Sequence, residues 1–149
     1  LSENDVTNIP PGDAVGMEHA GMYELEAVTV ACAGSCAPVN AFGLIISPCD
    51  VGARNTELAE ITQVDGSLQV DLEDVLWASR LEGGVWNDGS FEVGGIKTEL
   101  GGQIRFIAHS TGVLSGGTWT SDLELRSVGT IDDQSRDCTA TVEVTGTRL

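Results

Sequence analysis

The sequence is short of basic residues, of aromatic residues and of long apolar runs. Only 7 of its 149 residues are lysine or arginine, against 23 aspartates and glutamates, and the formal net charge is −16. A surface without a basic patch cannot displace counterions from phosphates, so we expect no nucleic-acid partner. No apolar run approaches the roughly 20 residues that a membrane-spanning helix needs.

Motifs that would carry chemistry are also lacking. There is no phosphate-binding glycine loop and no G-x-S-x-G nucleophile elbow. The spacing of Cys32-Ala-Gly-Ser-Cys36 occurs in zinc sites, but no second close pair follows, and His19 and His109 are isolated. We therefore expect neither a metal nor another cofactor.

What the sequence has in abundance is β-forming residues punctuated by 19 glycines. Helical periodicity is almost absent, and the best helical candidate is a turn or two near Asn55–Ala59. Runs rich in Val, Ile, Leu and Thr predict the strands: Tyr23–Cys32, Phe42–Ser47, Glu57–Val64, Ser67–Leu72, Val75–Arg80, Leu81–Asn87, Ser90–Thr98, Gln103–Ser110, Val113–Ser115, Thr118–Val128 and Cys138–Thr147. Short turns between them predict an all-β fold, a single antiparallel up-and-down β-barrel of about eight strands, with a two-sheet β-sandwich as the alternative.

Two Asp-Gly pairs predict hairpins with two-residue turns, in which both turn residues would adopt positive φ. Around Asp65-Gly66, the predicted register places Val64 opposite Ser67, Ile61 opposite Val70 and Ala59 opposite Leu72. Around Asp88-Gly89, it places Trp86 opposite Phe91.

The four cysteines, Cys32, Cys36, Cys49 and Cys138, predict two disulfides. If the first and last strands are antiparallel neighbours, Cys32 and Cys138 fall side by side, which favours Cys32–Cys138 with Cys36–Cys49. The pairing Cys32–Cys49 with Cys36–Cys138 is the alternative.

The first residues form a polar stretch with Pro10-Pro11, Gly12 and Gly16. We interpret residues 1–20 as a flexible N-terminal tether, left after removal of a secretion signal or a lipoprotein-like membrane anchor, and residues 21–149 as one barrel domain. Together with the cysteines, this predicts a bacterial-type protein that is secreted, periplasmic or attached to the cell surface.

The tripeptide Gly21-Met22-Tyr23, at the start of the first strand, resembles the G-x-W that opens the lipocalin and avidin barrels, with tyrosine in place of tryptophan. The resemblance implies a lipocalin-like (calycin-like) barrel shape. It covers three residues and carries over no functional residues.

The sequence predicts a binding site for a small hydrophobic or amphipathic molecule inside the barrel. Arg105 or His109 would anchor its polar group if they face inward; on the outer face they would be solvated surface residues. The predicted walls are aromatic residues from different strands, which could instead fill a solid core: Trp77, Trp86, Phe91, Phe106 and Trp119.

Two other functions are compatible with the sequence. One is an isomerase or cyclase in the same barrel, with His109 or a lumenal carboxylate as proton handler. The other is a sandwich acting as an adhesion or carbohydrate-binding module. Exposed strand edges would also permit a homodimer.

Overall fold

The protein, described here by a computed structural model for residues 1–73 and 79–149, consists almost entirely of β-strands. Within these ranges one short helix, α1 (Asn4–Thr7), precedes the strands, and a single 3-10 turn (Leu100–Gly102) lies among them. No helix in these two ranges is long and apolar enough to cross a membrane. The strands are β1 (Gly21–Ser35), β2 (Val39–Ala41), β3 (Leu44–Ile46), β4 (Arg54–Val64), β5 (Ser67–Leu72), β6 (Arg80–Val85), β7 (Ser90–Glu99), β8 (Ile104–Ser115), β9 (Thr118–Ile131) and β10 (Gln134–Arg148).

Eight strands close into an antiparallel barrel in the order β1-β10-β9-β8-β7-β6-β5-β4. Successive strands from β4 to β10 are neighbours, and β1 completes the circle by pairing with β4 on one side and β10 on the other. The predicted up-and-down barrel is confirmed, and the sandwich alternative is wrong because the sheet closes on itself. Closure leaves the barrel without free strand edges. A homodimer through strand pairing stays a prediction, and the edges available for it are those of the separate β2–β3 hairpin.

The strand predictions hold where the pattern is local. The hairpin around Asp65-Gly66 has the predicted register, with Ile61 opposite Val70 and Ala59 opposite Leu72. Its turn differs in detail, because Asp65 has a φ of 51° while Gly66 does not adopt a left-handed φ. The helical candidate at Asn55–Ala59 is wrong: those residues belong to β4, where pairing with β1 outweighs their weak local preference.

The hairpin around Asp88-Gly89 is shifted by one residue from its predicted register. Val85, not Trp86, lies opposite Phe91. The Trp86 amide donates to the Ser90 carbonyl at 2.8 Å, so three residues (87–89) rather than two form the turn. Gly89 takes a φ of 85°, as expected when a type I turn is followed by a glycine in the left-handed region. The Asp88 carboxylate accepts hydrogen bonds from the Ser90 amide and hydroxyl, which stabilises the longer loop.

The disulfides are Cys32–Cys49 and Cys36–Cys138, the alternative pairing. The favoured pairing is wrong because β1 and β10 are both longer than predicted. Cys138 lies opposite Gly34, and Cys32 lies opposite Ala140. Cys36 follows directly after β1 and is therefore the cysteine that reaches Cys138.

The β2–β3 hairpin (Val39–Ile46), which we call the capping hairpin, covers the barrel end where β8 begins and β9 ends. Its inward residues pack on residues of those strands in a cluster separate from the main core. The cluster consists of Val39, Ala41, Ile46, Ile104, Phe106 and Ile131. Cys36 and Cys49 flank the hairpin, so each disulfide ties one of its ends to the barrel.

Residues 1–20, the N-terminal segment, lie against the barrel. The Gly12 amide donates to the Gly66 carbonyl at 2.8 Å and the Ala14 amide to the Val85 carbonyl at 3.2 Å. Val6 of α1 is buried. The sequence predicts a flexible tether for these residues. The structure shows them packed against the barrel, while their flexibility and the earlier removal of a signal or membrane anchor stay predictions.

Candidate functional site

Two of the predicted lumenal aromatics pack against each other in the main core. Phe91 and Trp119 are each 3% exposed, and their ring centroids lie 4.6 Å apart. Tyr23 meets Trp119 edge-on at 6.5 Å. At these separations the rings fill the barrel rather than line an open cavity.

The other three predicted wall residues lie elsewhere. Phe106 is fully buried beneath the capping hairpin. Trp86 lies in the loop after β6, where it borders a depression of about 580 Å³ shared with Asp13 and Asn87. Trp77 and most of the predicted strand Val75–Arg80 lie outside the described residues.

Arg105 and His109 lie on the outer face of β8, alternating with the inward Phe106 and Ala108. Arg105 forms an ion pair with Glu3 of the N-terminal segment at 3.0 Å. His109 Nε2 lies 2.8 Å from a carboxylate oxygen of Glu92. The condition under which either residue would anchor a lumenal ligand is therefore not met, and the alternative of two residues on the outer surface describes their position.

The buried cation that the sequence did not reveal is Arg136. It is 4% exposed, and its guanidinium donates to Ser127 Oγ at 2.6 Å and to the Ala37 carbonyl at 2.7 Å. Burial lowers the pKa of Arg136. The sequence signal that could have revealed this burial is the spacing of Arg136, Cys138 and Ala140 at every second residue, which places all three on the inner face of the last strand.

No carboxylate is buried among residues 1–73 and 79–149, where the buried polar side chains are His19, Gln63, Ser110, Ser121, Ser127 and Arg136. The cyclase hypothesis needs a lumenal proton handler. Arg136 does not suit that role, because a guanidinium stays protonated near neutral pH. His19 and Tyr23 are also buried among the described residues, and the Tyr23 hydroxyl donates to the His19 carbonyl at 3.0 Å. The cyclase hypothesis stays a prediction.

A groove of about 650 Å³ lies outside the barrel, between its wall and the N-terminal segment. The segment contributes mostly apolar side chains, and β4 to β7 contribute polar side chains, the apolar Val64, Leu68 and Ile96, and glycines that are partly or fully buried. The lining residues are Val6, Thr7, Ile9, Pro11, Thr62, Val64, Ser67, Leu68, Gln69, Arg80, Glu82, Gly83, Gly94, Gly95 and Ile96.

Glycine creates the space that the segment occupies. A side chain at Gly94 would meet Val6, since an added Cβ would lie 2.7 Å from the Val6 Cβ. A Cβ at Gly66 would overlap the Gly12 carbonyl oxygen, and one at Gly84 would come close to Pro10 and Pro11. These glycines explain how an extended chain can lie directly on the sheet.

The charged groups of the groove differ in how they are engaged. Arg80 Nε donates to Asp71 Oδ1 at 2.8 Å, and Gln69 donates to the other oxygen of that carboxylate at 2.8 Å. The hydrogen bond from Arg80 is the main reason that the pKa of Asp71 lies below its usual range. Glu82 forms no direct ion pair among the described residues, although Arg80 lies near enough for the two charges to interact, so the groove retains one carboxylate without a direct partner.

No protein-family model, curated protein or solved structure matches this chain.

Proposed function

We propose that the protein is a binding protein for small amphipathic molecules, and that the ligand lies in the groove beneath the N-terminal segment. The single observation that carries the proposal is the groove itself, about 650 Å³, with a mostly apolar wall on the side of the N-terminal segment and a mixed polar and apolar wall on the strand side. Sites for small molecules are typically concave, about 300–1,000 Å³ in volume, and mostly apolar with a few polar groups. The disulfides are compatible with an extracellular or periplasmic setting.

This proposal keeps the ligand class expected from the sequence and changes its position. Phe91 and Trp119 pack together in the main core, which favours an outer site over a lumenal one. The apolar part of the ligand would contact Val6, Ile9 and Val64, and its polar part would face the polar strand residues Gln69 and Glu82.

Electrostatics favour a cationic head group. Glu82 is exposed and without an ion-pair partner among the described residues, whereas Arg80 is already engaged by Asp71. The net charge of −16 adds a long-range attraction for cations and a repulsion for anions. We therefore expect an amphipathic amine or quaternary ammonium compound to bind better than a carboxylate with the same alkyl chain.

The test is isothermal titration calorimetry with octyltrimethylammonium and octanoate, both below their micelle-forming concentrations. We expect octyltrimethylammonium to bind about tenfold more tightly or better, which corresponds to about 1.4 kcal/mol. Glu82→Gln should remove most of that preference, while the exposed Glu143→Gln on β10 should leave it unchanged. Equal affinity for the two probes would contradict the cationic preference.

A second pair of variants locates the site. Val64 lines the groove and is 63% exposed, and Val113 on β8 is 45% exposed but does not line it. Val64→Gln should weaken binding of octyltrimethylammonium several-fold through loss of apolar contact, and Val113→Gln should not. Equal weakening by both variants would show that the probe binds non-specifically, and no binding at all by the unmodified protein would overturn the proposed function.

A further inference from the structure

The two disulfides lie close to each other. The Sγ atoms of Cys36, Cys49 and Cys138 all lie within 4.8 Å of one another. Cys49 belongs to one bond and the other two cysteines form the second. Cys49 therefore lies beside both sulphur atoms of a disulfide to which it does not belong.

The two bonds differ in accessibility. Cys32 and Cys49 are both partly exposed, whereas Cys138 is buried at 1% exposure. Access of the attacking thiolate is one determinant of the rate of thiol–disulfide exchange. An external reductant can therefore approach both sulphur atoms of the Cys32–Cys49 bond but only one, Cys36 Sγ, of the Cys36–Cys138 bond, which favours reduction of Cys32–Cys49.

The same two bonds fasten the capping hairpin. Cys36–Cys138 joins the start of the hairpin to β10, and Cys32–Cys49 joins its end to β1. A bond between Cys36 and Cys49 would instead link the two ends of the hairpin to each other. That pairing would leave no disulfide between the hairpin and either strand, so that only the backbone would join them.

We propose that Cys49 is a thiol–disulfide exchange site through which reduction of one disulfide releases both covalent anchors of the capping hairpin. A dithiol reductant first reduces Cys32–Cys49, giving two protein thiols and the cyclic disulfide of the reductant. The Cys49 thiolate then attacks Cys36 Sγ, which forms Cys36–Cys49 and breaks Cys36–Cys138. The released Cys138 sulphur takes up the proton that Cys49 lost, so Cys32 and Cys138 end as thiols.

Position determines which sulphur is attacked. Cys36 and Cys49 are both partly exposed at the ends of the hairpin, while Cys138 is enclosed in the barrel wall. A thiolate approaching from the hairpin side therefore meets Cys36 first. After the exchange, the hairpin retains its apolar packing and the hydrogen bond from Arg136 to the Ala37 carbonyl at 2.7 Å.

Two single substitutions test this without any reductant. Cys32→Ser and Cys49→Ser each remove the same disulfide, but only Cys32→Ser leaves a free thiol at Cys49. Each variant, kept dilute, is incubated, its free thiols are alkylated at low pH, and its disulfide-linked peptides are identified by mass spectrometry. We expect Cys32→Ser to lose the Cys36–Cys138 peptide and to gain a Cys36–Cys49 peptide, while Cys49→Ser retains Cys36–Cys138.

The rate provides a second readout. Because the thiolate is the attacking species, exchange in Cys32→Ser should accelerate roughly tenfold per pH unit below the thiol pKa. Retention of Cys36–Cys138 alone in Cys32→Ser, or a Cys49–Cys138 bond in place of Cys36–Cys49, would overturn the proposal. Equal exchange in the two variants would also overturn it, because the effect would not depend on the position of Cys49.

A measurement on the unmodified protein covers the case in which Cys32→Ser fails to fold. Limited reduction with dithiothreitol under native conditions, followed by acid trapping, should give a species with two free thiols at Cys32 and Cys138. Free thiols at Cys32 and Cys49, without further change over time, would contradict the exchange.

Discussion

The indole Nε1 of Trp119 donates a hydrogen bond of 2.8 Å to the hydroxyl of Ser121, two residues further along β9. Both side chains point into the barrel and both are buried. Side chains two residues apart share a face of a strand, so the sequence Trp-Thr-Ser supplies an aromatic ring and the acceptor for its only polar atom. The bond allows an indole to occupy an apolar interior beside Phe91 without an unsatisfied donor.

Removal of that acceptor should destabilise the protein. Ser121→Ala leaves the Trp119 N–H buried without its partner, and we expect a loss of about 1–3 kcal/mol in the free energy of unfolding. Urea unfolding followed by tryptophan fluorescence measures the change. Ser115→Ala, at an exposed position at the end of β8, should stay within about 0.5 kcal/mol of the unmodified protein. An equally small effect of Ser121→Ala would show that the indole finds another acceptor.

A methyl group at Gly66 should lift the N-terminal segment from the barrel wall. The added Cβ of Gly66→Ala would overlap the Gly12 carbonyl oxygen, and the hydrogen bond from the Gly12 amide to the Gly66 carbonyl would be lost. Hydrogen exchange measured by mass spectrometry should rise over residues 1–20 with little change in β8 to β10. Gly12→Ala, which places the added methyl group on the segment and not on the barrel wall, should give the same rise in exchange over residues 1–20. Ser67→Ala, at the neighbouring position, is the control. An equal rise in exchange over residues 1–20 in Ser67→Ala would contradict the steric explanation.

Replacing Arg136 by lysine should weaken the attachment of the capping hairpin. The planar guanidinium reaches Ser127 and the Ala37 carbonyl at once, and a single ammonium group cannot reproduce that fork. We expect Arg136→Lys to lower the free energy of unfolding by about 1–3 kcal/mol and to raise hydrogen exchange in residues 37–49. Arg105→Lys alters an exposed ion pair with Glu3 and should cost less than about 1 kcal/mol. Similar losses in the two variants would argue against a special role for the buried fork.

Acid should weaken the ion pair on the outer face of β9 and β10. Arg126 donates to both oxygens of Asp137, at 2.8 and 2.9 Å, and these hydrogen bonds are the main cause that lowers the pKa of Asp137 below its usual 3.8. A carboxyl group with a lowered pKa in the folded state contributes stability that is fully present above about pH 4 and is lost as pH falls through its folded-state pKa. Because the Asp137 side chain is 55% exposed and the Arg126 side chain 26%, water screens the pair in part, and we expect this contribution to be about 0.2–1 kcal/mol.

The measurement for this pair is the free energy of unfolding from pH 7 to pH 2. Asp137→Asn should be less stable than the unmodified protein at pH 7, and the difference should disappear below pH 4. Asp122→Asn, at an exposed position on β9, serves as the control. A constant difference between Asp137→Asn and the unmodified protein across this range would show that the loss is not electrostatic.

Local sequence patterns were sufficient for much of the fold. The Asp65-Gly66 turn and the alternation of Ile61 and Val70 agree on one register, and the structure has it. Asp88-Gly89 suits a loop of either two or three residues, so the same dipeptide gave a register that was wrong by one. The difference depends on backbone φ at Gly89 and on the hydrogen bonds of Asp88, which a residue pattern does not encode.

Contacts between distant parts of the chain could not be predicted from the sequence. The cysteine pairing depends on where β1 ends relative to β10, which includes a register shift between Thr29 and Ala31. The groove exists because the N-terminal segment lies over Gly94 and Gly66. The polar composition of the segment does not predict that position. Arg105 and His109 alternate with Phe106 along β8 and lie on the opposite face, but alternation alone does not say which face is the lumen.

The seam between β1 and β10 determines the order in which the barrel can form. Hairpins from β4 to β9 join neighbours in the chain, whereas Tyr23 pairs with Arg148 across nearly its whole length. Until β10 has been synthesised, the growing sheet is an open ribbon with unpaired edges, the state in which β proteins associate wrongly. A net charge of −16 makes such ribbons repel one another. The acidity of the chain therefore protects the unfinished sheet as well as the closed barrel.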